Sequence, residues 1–215
     1  MNLGRPREFD IDRALESATR QFWVAGYEAT SMAELLAVMN LSKSSLYQTF
    51  GSKEALFIRC LDYFQTSMAA NLSSQLQSSD SPMQFLADYL ESVIDEASAK
   101  SARKGCLLVN TANELAQRNP AVREAVARGG EKMIRVFVEA LEQALARGEI
   151  HSPQSLEELA RYYFSSVSGL RTMVKAGASR EELEPIARLV MKTLQYFWPL
   201  MDRMVPNGFC LNQQM

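Results

Sequence analysis

Between Lys43 and Lys53 the chain places Ser44, Ser45, Tyr47 and Gln48 on one side of a short segment whose other side carries Leu46 and Phe50. At about 100° per residue, Leu46 and Phe50 fall together while Ser44 and Gln48 point away, flanked by Ser45 and Tyr47. These side chains suit a duplex groove. A glutamine amide bonds an adenine edge through two hydrogen bonds, a serine hydroxyl serves base or phosphate, and a tyrosine hydroxyl reaches a phosphate. Lys43 and Lys53 bracket this surface. Ser52 caps the helix that follows, so Lys53 and the free N–H groups of that first turn form a second phosphate-binding spot.

A second stretch with chemical potential is Arg103-Lys104-Gly105-Cys106-Leu107-Leu108-Val109-Asn110. Cys106 falls near a predicted helix N-terminus with two cations just before it, and both influences favour thiolate over thiol. On that helix Cys106, Asn110, Asn113 and Gln117 share one narrow sector, a polar stripe that faces either a ligand cavity or water. Phe64, Phe85, Tyr89, Met133, Phe137, Tyr162, Phe164 and Met173 are candidate cavity walls, although most residues at helical spacing build core. Arg171, on a largely apolar helix, can meet an anionic ligand or a buried carboxylate, and Lys175 can bring a further nitrogen close to Cys106. Cys106 is thus a reactive sensor or a small apolar filler. Cys60 and Cys210 read as a packed thiol and a tail residue.

The elements that must hold these residues are helices. Ser31 with Glu34 has capping-box spacing, and Ser42 caps a second helix after the Asn40-Leu41 turn, which makes Thr30 to Lys53 a helix-turn-helix. Upstream, Ile11, Ala14, Leu15, Ala18 and Phe22 recur at helical spacing and complete a three-helix DNA-binding unit. Before it, Gly4-Arg5-Pro6-Arg7 is a flexible basic arm whose Arg5 and Arg7 can enter the minor groove or neutralise phosphates.

The chain resembles the TetR family of bacterial transcriptional regulators. The resemblance is carried by Gly26-Tyr27-Glu28-Ala29-Thr30-Ser31, by Leu41-Ser42-Lys43-Ser44-Ser45-Leu46-Tyr47, and by Phe50-Gly51-Ser52-Lys53-Glu54-Ala55-Leu56. It implies an operator-binding homodimer, a repressor, that a small molecule releases. By position it places Thr30, Lys43, Tyr47 and Lys53 at phosphates and Ser44, Ser45 and Gln48 at bases. Gln48-Thr49 departs from the histidine or other aromatic of many relatives, which leaves the operator sequence open. The Gly105-Cys106-Leu107-Leu108-Val109-Asn110 segment resembles a subgroup that includes electrophile-sensing, N-ethylmaleimide-responsive repressors, where a cysteine at this place is the sensor.

Bulk charge does not announce nucleic acid. The net charge is -2, and the first 55 residues hold six bases (Arg5, Arg7, Arg13, Arg20, Lys43, Lys53) against seven acids (Glu8, Asp10, Asp12, Glu16, Glu28, Glu34, Glu54). Sign is sorted locally, because the arm through Arg7 and the stretch from Met39 to Lys53 contain bases and no acids. Binding then rests on aimed contacts, with salt sensitivity set by the phosphates neutralised. No signal-peptide pattern and no apolar run of ~20 residues appears, so a cytoplasmic protein without membrane attachment is expected. Three widely spaced cysteines fit free thiols in a reducing compartment.

The rest of the chain reads as helix throughout, giving an all-α fold of about nine helices: a helix-turn-helix DNA-binding domain at 1–52 and a helical effector-binding and dimerisation domain at 53–215. A long rod runs from Lys53 to about Gln77, with Leu56, Cys60, Tyr63 and Phe64 as its apolar stripe. Further helices are expected from Met83 to about Lys100, from near Gly105 to Gln117, and from Pro120 to about Arg147, the last with a possible kink at Gly129-Gly130. Two helices close the chain: one from Ser155, paired with Glu158, to Ala176, and one from about Glu182 to Met204, with Pro185 complicating its start. Leu159, Tyr163, Val167 and Leu170 line the first; Leu189, Leu194, Phe197, Trp198 and Met201 line the second. By the resemblance these two helices pair between protomers, and a dimer has a mechanical reason, since two reading helices one helical turn apart read a palindrome.

Catalysis lacks its parts. The single histidine, His151, would have to fold back from a loop to serve Cys106, and there is no His-Glu-x-x-His, no paired Cys-x-x-Cys and no glycine-rich phosphate loop. No cofactor and no metal is expected, and a helical interaction module without DNA binding is the other non-catalytic reading.

Overall fold

Capping side chains decide where the N-terminal helices begin. The computed structural model describes residues 9–98, 104–151 and 155–196. In helix α1 (Ile11–Ala25) the Asp10 carboxylate accepts from the Arg13 N–H; in α2 (Met32–Met39) Ser31 and Glu34 form the reciprocal capping box that their spacing predicts. Asn40 then takes a left-handed conformation (φ 53°, ψ 45°), which turns the chain into α3 (Lys43–Phe50), whose first turn is capped by the Ser42 hydroxyl. Ser52 caps α4 (Lys53–Ser78) in the same way. Asp10, Ser31, Ser42 and Ser52 thus set four helix starts within one small unit.

The body consists of α5 (Pro82–Asp95), α6 (Leu107–Thr111), a π-helical turn (Ala112–Ala116), α7 (Pro120–Ala146), α8 (Leu156–Ala176) and α9 (Arg180–Tyr196). No strand occurs among the described residues. The chain is all-α. α1 packs on α2 and α4, α4 lies along α7, and α7 packs against α5 and α8.

Two apolar cores result. The first joins Ala14, Leu15, Ala18 and Phe22 of α1 to Leu35, Leu46 and Phe50 of the reading helices and to Leu56, Phe57, Cys60 and Leu61 of α4. It also takes in Leu107, Leu115, Val122 and Ala125 from beyond the rod, so the back of the reading unit is closed by the α6 to α7 segment. The second is built from α5, α7, α8 and α9, with Phe85, Leu86, Phe137, Tyr163, Leu170, Leu183 and Leu194 inside. Tyr163 is fully buried, and its hydroxyl donates to the Leu86 carbonyl at 2.6 Å.

Several expected boundaries move. α5 stops at Asp95, and the chain leaves through short turns in which Ala97 and Ser98 donate to Ile94 and Asp95 carbonyls; only Ala97 there is buried. The helix expected from Gly105 begins at Leu107, because Gly105 has φ +70° and Cys106 is extended as the N-cap; it then widens into the π turn instead of continuing as α. Ser155 makes no side-chain cap bond, so its pairing with Glu158 is not formed. α9 starts earlier than expected, at Arg180, because Ser179 and Glu182 cap it reciprocally and tolerate Pro185 inside the helix. Leu189 lies 62% exposed, on the side away from buried Leu194, whereas Phe197, Trp198 and Met201 fall outside the described residues.

α7 remains one continuous helix through Gly129-Gly130. The first of these glycines has a packing role. A Cβ there would stand 2.1 Å from Cδ of the Gln65 side chain, which is fully buried and donates to the Ala125 carbonyl at 3.1 Å. Only glycine lets α4 and α7 approach this closely.

Candidate DNA interface and effector cavity

The outward face of α3 carries Lys43, Ser44, Tyr47 and Gln48 exposed to solvent, and Leu46 and Phe50 are buried beneath it. The separation of polar and apolar sides is as the spacing predicts. Ser45 is half-buried, and its hydroxyl lies 2.8 Å from the Ser42 hydroxyl, which also meets Ser44 at 3.0 Å. The two candidate base-reading serines are therefore tied to the helix cap, although each hydroxyl has capacity for a further bond.

Lys53 is positioned by an aromatic platform. Its ammonium lies 4.3 Å from the centroid of the Tyr27 ring, and Tyr27 packs against Phe57 and Phe22 with centroids 4.9 and 6.0 Å away. Burial, aided by the charges of Glu54 and Glu28, raises the pKa of the Tyr27 phenol. Thr30 departs from expectation. Its side chain is fully buried and its hydroxyl donates to the Gly26 carbonyl at 2.6 Å, which braces the α1–α2 turn and leaves the group without a solvent-exposed face. Arg5 and Arg7 lie outside the described residues. One cation escaped the sequence reading: Arg59 donates to the Thr49 carbonyl at 3.3 Å and covers the Phe50 ring, so it closes the C-terminal end of α3.

The second site is a partly open cavity of about 30 Å³, room for about one water molecule. Its walls are aromatic and aliphatic: Trp23, Phe64, Met68, Tyr89, Phe137 and Phe164 among them, with Cys106 at one side and Arg171 at another. Of the expected walls, Phe64, Tyr89, Met133, Phe137 and Phe164 are present. Phe85 is not, because it is buried in the core between helices; Tyr162 and Met173 are half-buried against that core and also stay off the cavity.

The polar stripe divides. Cys106 faces the cavity, whereas Asn110, Asn113 and Lys175 line a separate open groove beside the end of α1. The split follows from Cys106 being an extended N-cap and from the π turn downstream, both of which break the uniform rotation that an unbroken α-helix would give. Lys175 donates to Asn110 Oδ1 at 2.8 Å, and Asn110 in turn donates to the Lys104 carbonyl, so the lysine nitrogen is held at the groove. The Lys104 ammonium sits 5.7 Å from the Trp23 ring centroid, and Arg103 lies outside the described residues.

Arg171 is largely buried and makes an ion pair with Glu96 at 3.1 Å, which supports the carboxylate reading over a bare ligand cation. It also donates to the Tyr89 hydroxyl at 3.2 Å, and burial raises the pKa of that phenol. Its Nε is buried without a hydrogen-bond partner among the described residues. Trp23 was missed by the periodic reading, since it stands one position beyond the buried stripe of α1; its Nε1 donates to the Gly105 carbonyl at 3.1 Å and its ring packs on Phe64. Cys60 lies in the first core, where desolvation pushes its thiol up to about 12.

No group of three or more His, Cys, Asp or Glu able to hold a metal occurs among the described residues, and no described helix is long and apolar enough to cross a membrane.

Comparison with known proteins places this geometry. Residues 14–60 match the description "Bacterial regulatory proteins, tetR family" and residues 82–190 match "Tetracyclin repressor-like, C-terminal domain". The HTH-type transcriptional repressor ComR of Escherichia coli (strain K12) is 31% identical over 197 residues, 91% of this chain and 92% of that protein. A solved structure of a cysteine mutant of the TetR family transcriptional regulator CifR, complexed with 26-base-pair double-strand operator DNA, is 32% identical, with TM-score 0.74 over 87% of this chain and 98% of that one. Reduced Escherichia coli NemR has TM-score 0.76 over 84% of this chain and 95% of that one; at 22% identity this likeness bears on the fold alone. The chain belongs to the TetR family and is a helix-turn-helix, DNA-binding transcriptional repressor, not an enzyme.

Proposed function

We propose that the protein binds a palindromic operator as a homodimer in the cytoplasm, and that filling the cavity at Cys106 lowers this affinity. The observation that carries the DNA half is the exposed polar face of α3 over buried Leu46 and Phe50, with Lys53 held on the Tyr27 ring beside it. In this reading Gln48, with Ser44 and Ser45, addresses base edges; Lys43, Tyr47 and Lys53 hold phosphates, and Arg5 and Arg7 add contacts from the N-terminal arm. Thr30 serves by bracing the turn. The operator complex of the CifR mutant, a 32% identical protein, supports the assignment.

The division of labour is a DNA-binding domain at 1–52 and an effector-binding and dimerisation domain at 53–215. Pairing through α8 and α9 is supported by the exposed Ile186 and Leu189 on α9, and by Gly169 on α8, where an added Cβ would meet nothing within 4 Å. The effector is a small apolar molecule, or a thiol-reactive electrophile that adds to Cys106, enclosed by Phe64, Tyr89, Phe137 and Trp23 with Arg171 at its polar end. Because the cavity holds about 30 Å³, a molecule larger than water that fills it must displace the side chains and helices lining it. That requirement couples occupancy to shape: a shift of a few kcal/mol in favour of the opened arrangement suffices to depopulate the DNA-competent one. Tilting of α4, which runs from the reading unit into the body, is one route.

Selection of bound duplexes from a random pool tests both halves. An inverted repeat is expected, and repeating the binding with N-ethylmaleimide on wild type and on Cys106→Ser is expected to release only the former. A pool returned without an inverted repeat would contradict the dimeric operator reading, and equal response of the two proteins would remove Cys106 from the sensor.

A further inference from the structure

Glu114 stands in the π turn with both carboxylate oxygens on the backbone of the reading unit. Oε2 accepts from the Tyr27 N–H at 3.1 Å and Oε1 from the Glu28 N–H at 2.9 Å. These two amides open the α1–α2 turn just after Gly26 (φ 84°, ψ 169°), and both are directed at the one carboxylate. A Cβ at Gly26 would come within 3.1 Å of the same carboxylate. The turn is thus held by a side chain contributed from 86 residues away.

The turn held in this way lies directly behind the DNA-facing surface. Tyr27 carries Lys53 on its ring, and the Thr30 hydroxyl closes back onto Gly26. A second tie runs parallel: the Asn119 side-chain amide donates to Glu54 Oε2 at 2.8 Å, at the first turn of α4 next to Lys53. Both ties issue from one segment. At its other end that segment supplies Cys106, Leu107 and Leu108 to the cavity, and the Gly105 carbonyl to Trp23.

Between the two ends lies the π turn Ala112–Ala116. A π turn inserts one residue into the α-helical register, so its hydrogen-bond register can slip, and such turns are frequent at functional sites. A slip to α register rotates Glu114 by about 100° relative to the residues before it, which takes its carboxylate off the Tyr27 and Glu28 amides.

We propose that Glu114 is a positioning residue for DNA binding, and that displacement of the Cys106 to Asn119 segment by a cavity occupant acts on the reading unit by withdrawing Glu114 from the Tyr27 and Glu28 amides. The first part rests only on the DNA-binding assignment; the second rests also on the cavity reading proposed above.

The test uses the full chain, amide hydrogen exchange and titration of the inverted repeat selected by wild type. In Glu114→Ala the Tyr27 and Glu28 amides exchange about tenfold faster or more, and operator affinity falls about tenfold, as expected for losing bonds to a charged acceptor. Exchange in α5, α8 and α9 stays at wild-type rates, and the salt slope of binding is unchanged because no phosphate contact is removed. Glu114→Gln, which keeps one acceptor oxygen, falls between the two. Exchange at the turn and affinity both at wild-type level in Glu114→Ala, or a loss of protection spread over the whole molecule, would overturn the positioning role.

The coupling arm uses N-ethylmaleimide on a Cys210→Ser chain. The Cys106 sulfur adds to one carbon of the maleimide double bond, the π bond breaks, and the thiol proton ends on the neighbouring carbon. Alkylation is expected to raise exchange at Tyr27 and Glu28 together with DNA release, and to do neither once Cys106→Ser is introduced. Release with the turn still protected would overturn this route while leaving the cavity reading intact; a fully alkylated protein that neither loosens nor releases would count against both.

Discussion

The reading unit and the cavity-bearing body start their helices alike and differ in their interiors. In the reading unit every helix start is set by a side chain within three residues of the group it bonds: Asp10, Ser31, Ser42 and Ser52. Its core is closed by aromatic contacts such as Phe22 on Phe57 at 4.8 Å. The body caps α5, α7 and α9 in the same way, through Ser81, Asn119 and Ser179, but it also contains a cavity, a π turn, and buried polar atoms without partners among the described residues, Arg171 Nε and Gln65 Oε1. Local choices and global fold agree in the first region and conflict in the second. A surface that must meet one fixed partner profits from agreement, whereas a device with two arrangements needs the stored conflict.

Substitutions in the two regions should therefore fail differently. Leu46→Ala, at a fully buried position under the reading face, should cost about 3 kcal/mol and abolish operator binding, checked by urea unfolding and a DNA titration. Gly129→Ala drives a methyl into the Gln65 side chain and should cost about 2 kcal/mol, seen as a lower unfolding midpoint; wild-type stability there would mean that α4 and α7 separate easily. Gln48→Ala should lose about 1–3 kcal/mol of discrimination between operator and altered sites with folding unchanged. Lys53→Ala should instead weaken all duplexes alike and reduce the salt slope by about one, measured by titration across salt concentrations.

The two described thiols give the gentlest contrast. At pH 8 a thiol reagent should modify Cys106 at the cavity and spare Cys60, which is 1% exposed, as peptide mapping would report. The Cys60 thiol is raised from 9.0 to about 12, so the folded protein keeps a proton that the unfolded chain gives up near 9. Its contribution is complete below pH 9 and is lost as pH rises toward about 12; Cys60→Ala should flatten this part of the alkaline decline in urea melts.

What could be read from the chain follows the same division. The capping box of Ser31 and Glu34, the Ser42 cap and the two faces of α3 are local relations, and they stand as expected. Thr30 shows the limit even there: its position relative to the motif says nothing of a hydroxyl folded back onto Gly26. In the body, Phe64, Tyr89, Phe137 and Cys106 were identifiable as aromatic or thiol side chains, yet Phe85 and Tyr162 have the same types and spacing and lie elsewhere, because only the packing of α5 against α7 and α8 chooses among them. The π turn was hidden altogether. Its single extra residue has no compositional mark, and together with the extended Cys106 N-cap it breaks the uniform rotation, so that Asn110 and Asn113 line a different groove from Cys106. Trp23 and Glu114 matter through partners 82 to 87 residues away, a separation that periodicity does not address.

Filling the cavity from within measures the link between the two regions without an effector. Ser168 lines the cavity, and Ser168→Phe inserts a ring into a space of about 30 Å³, far too small to hold it. A variant that melts cooperatively, keeps its helical content and binds the selected inverted repeat at least tenfold more weakly than wild type is the predicted result. A folded Ser168→Phe protein that binds that duplex as tightly as wild type would contradict the coupling of cavity to DNA.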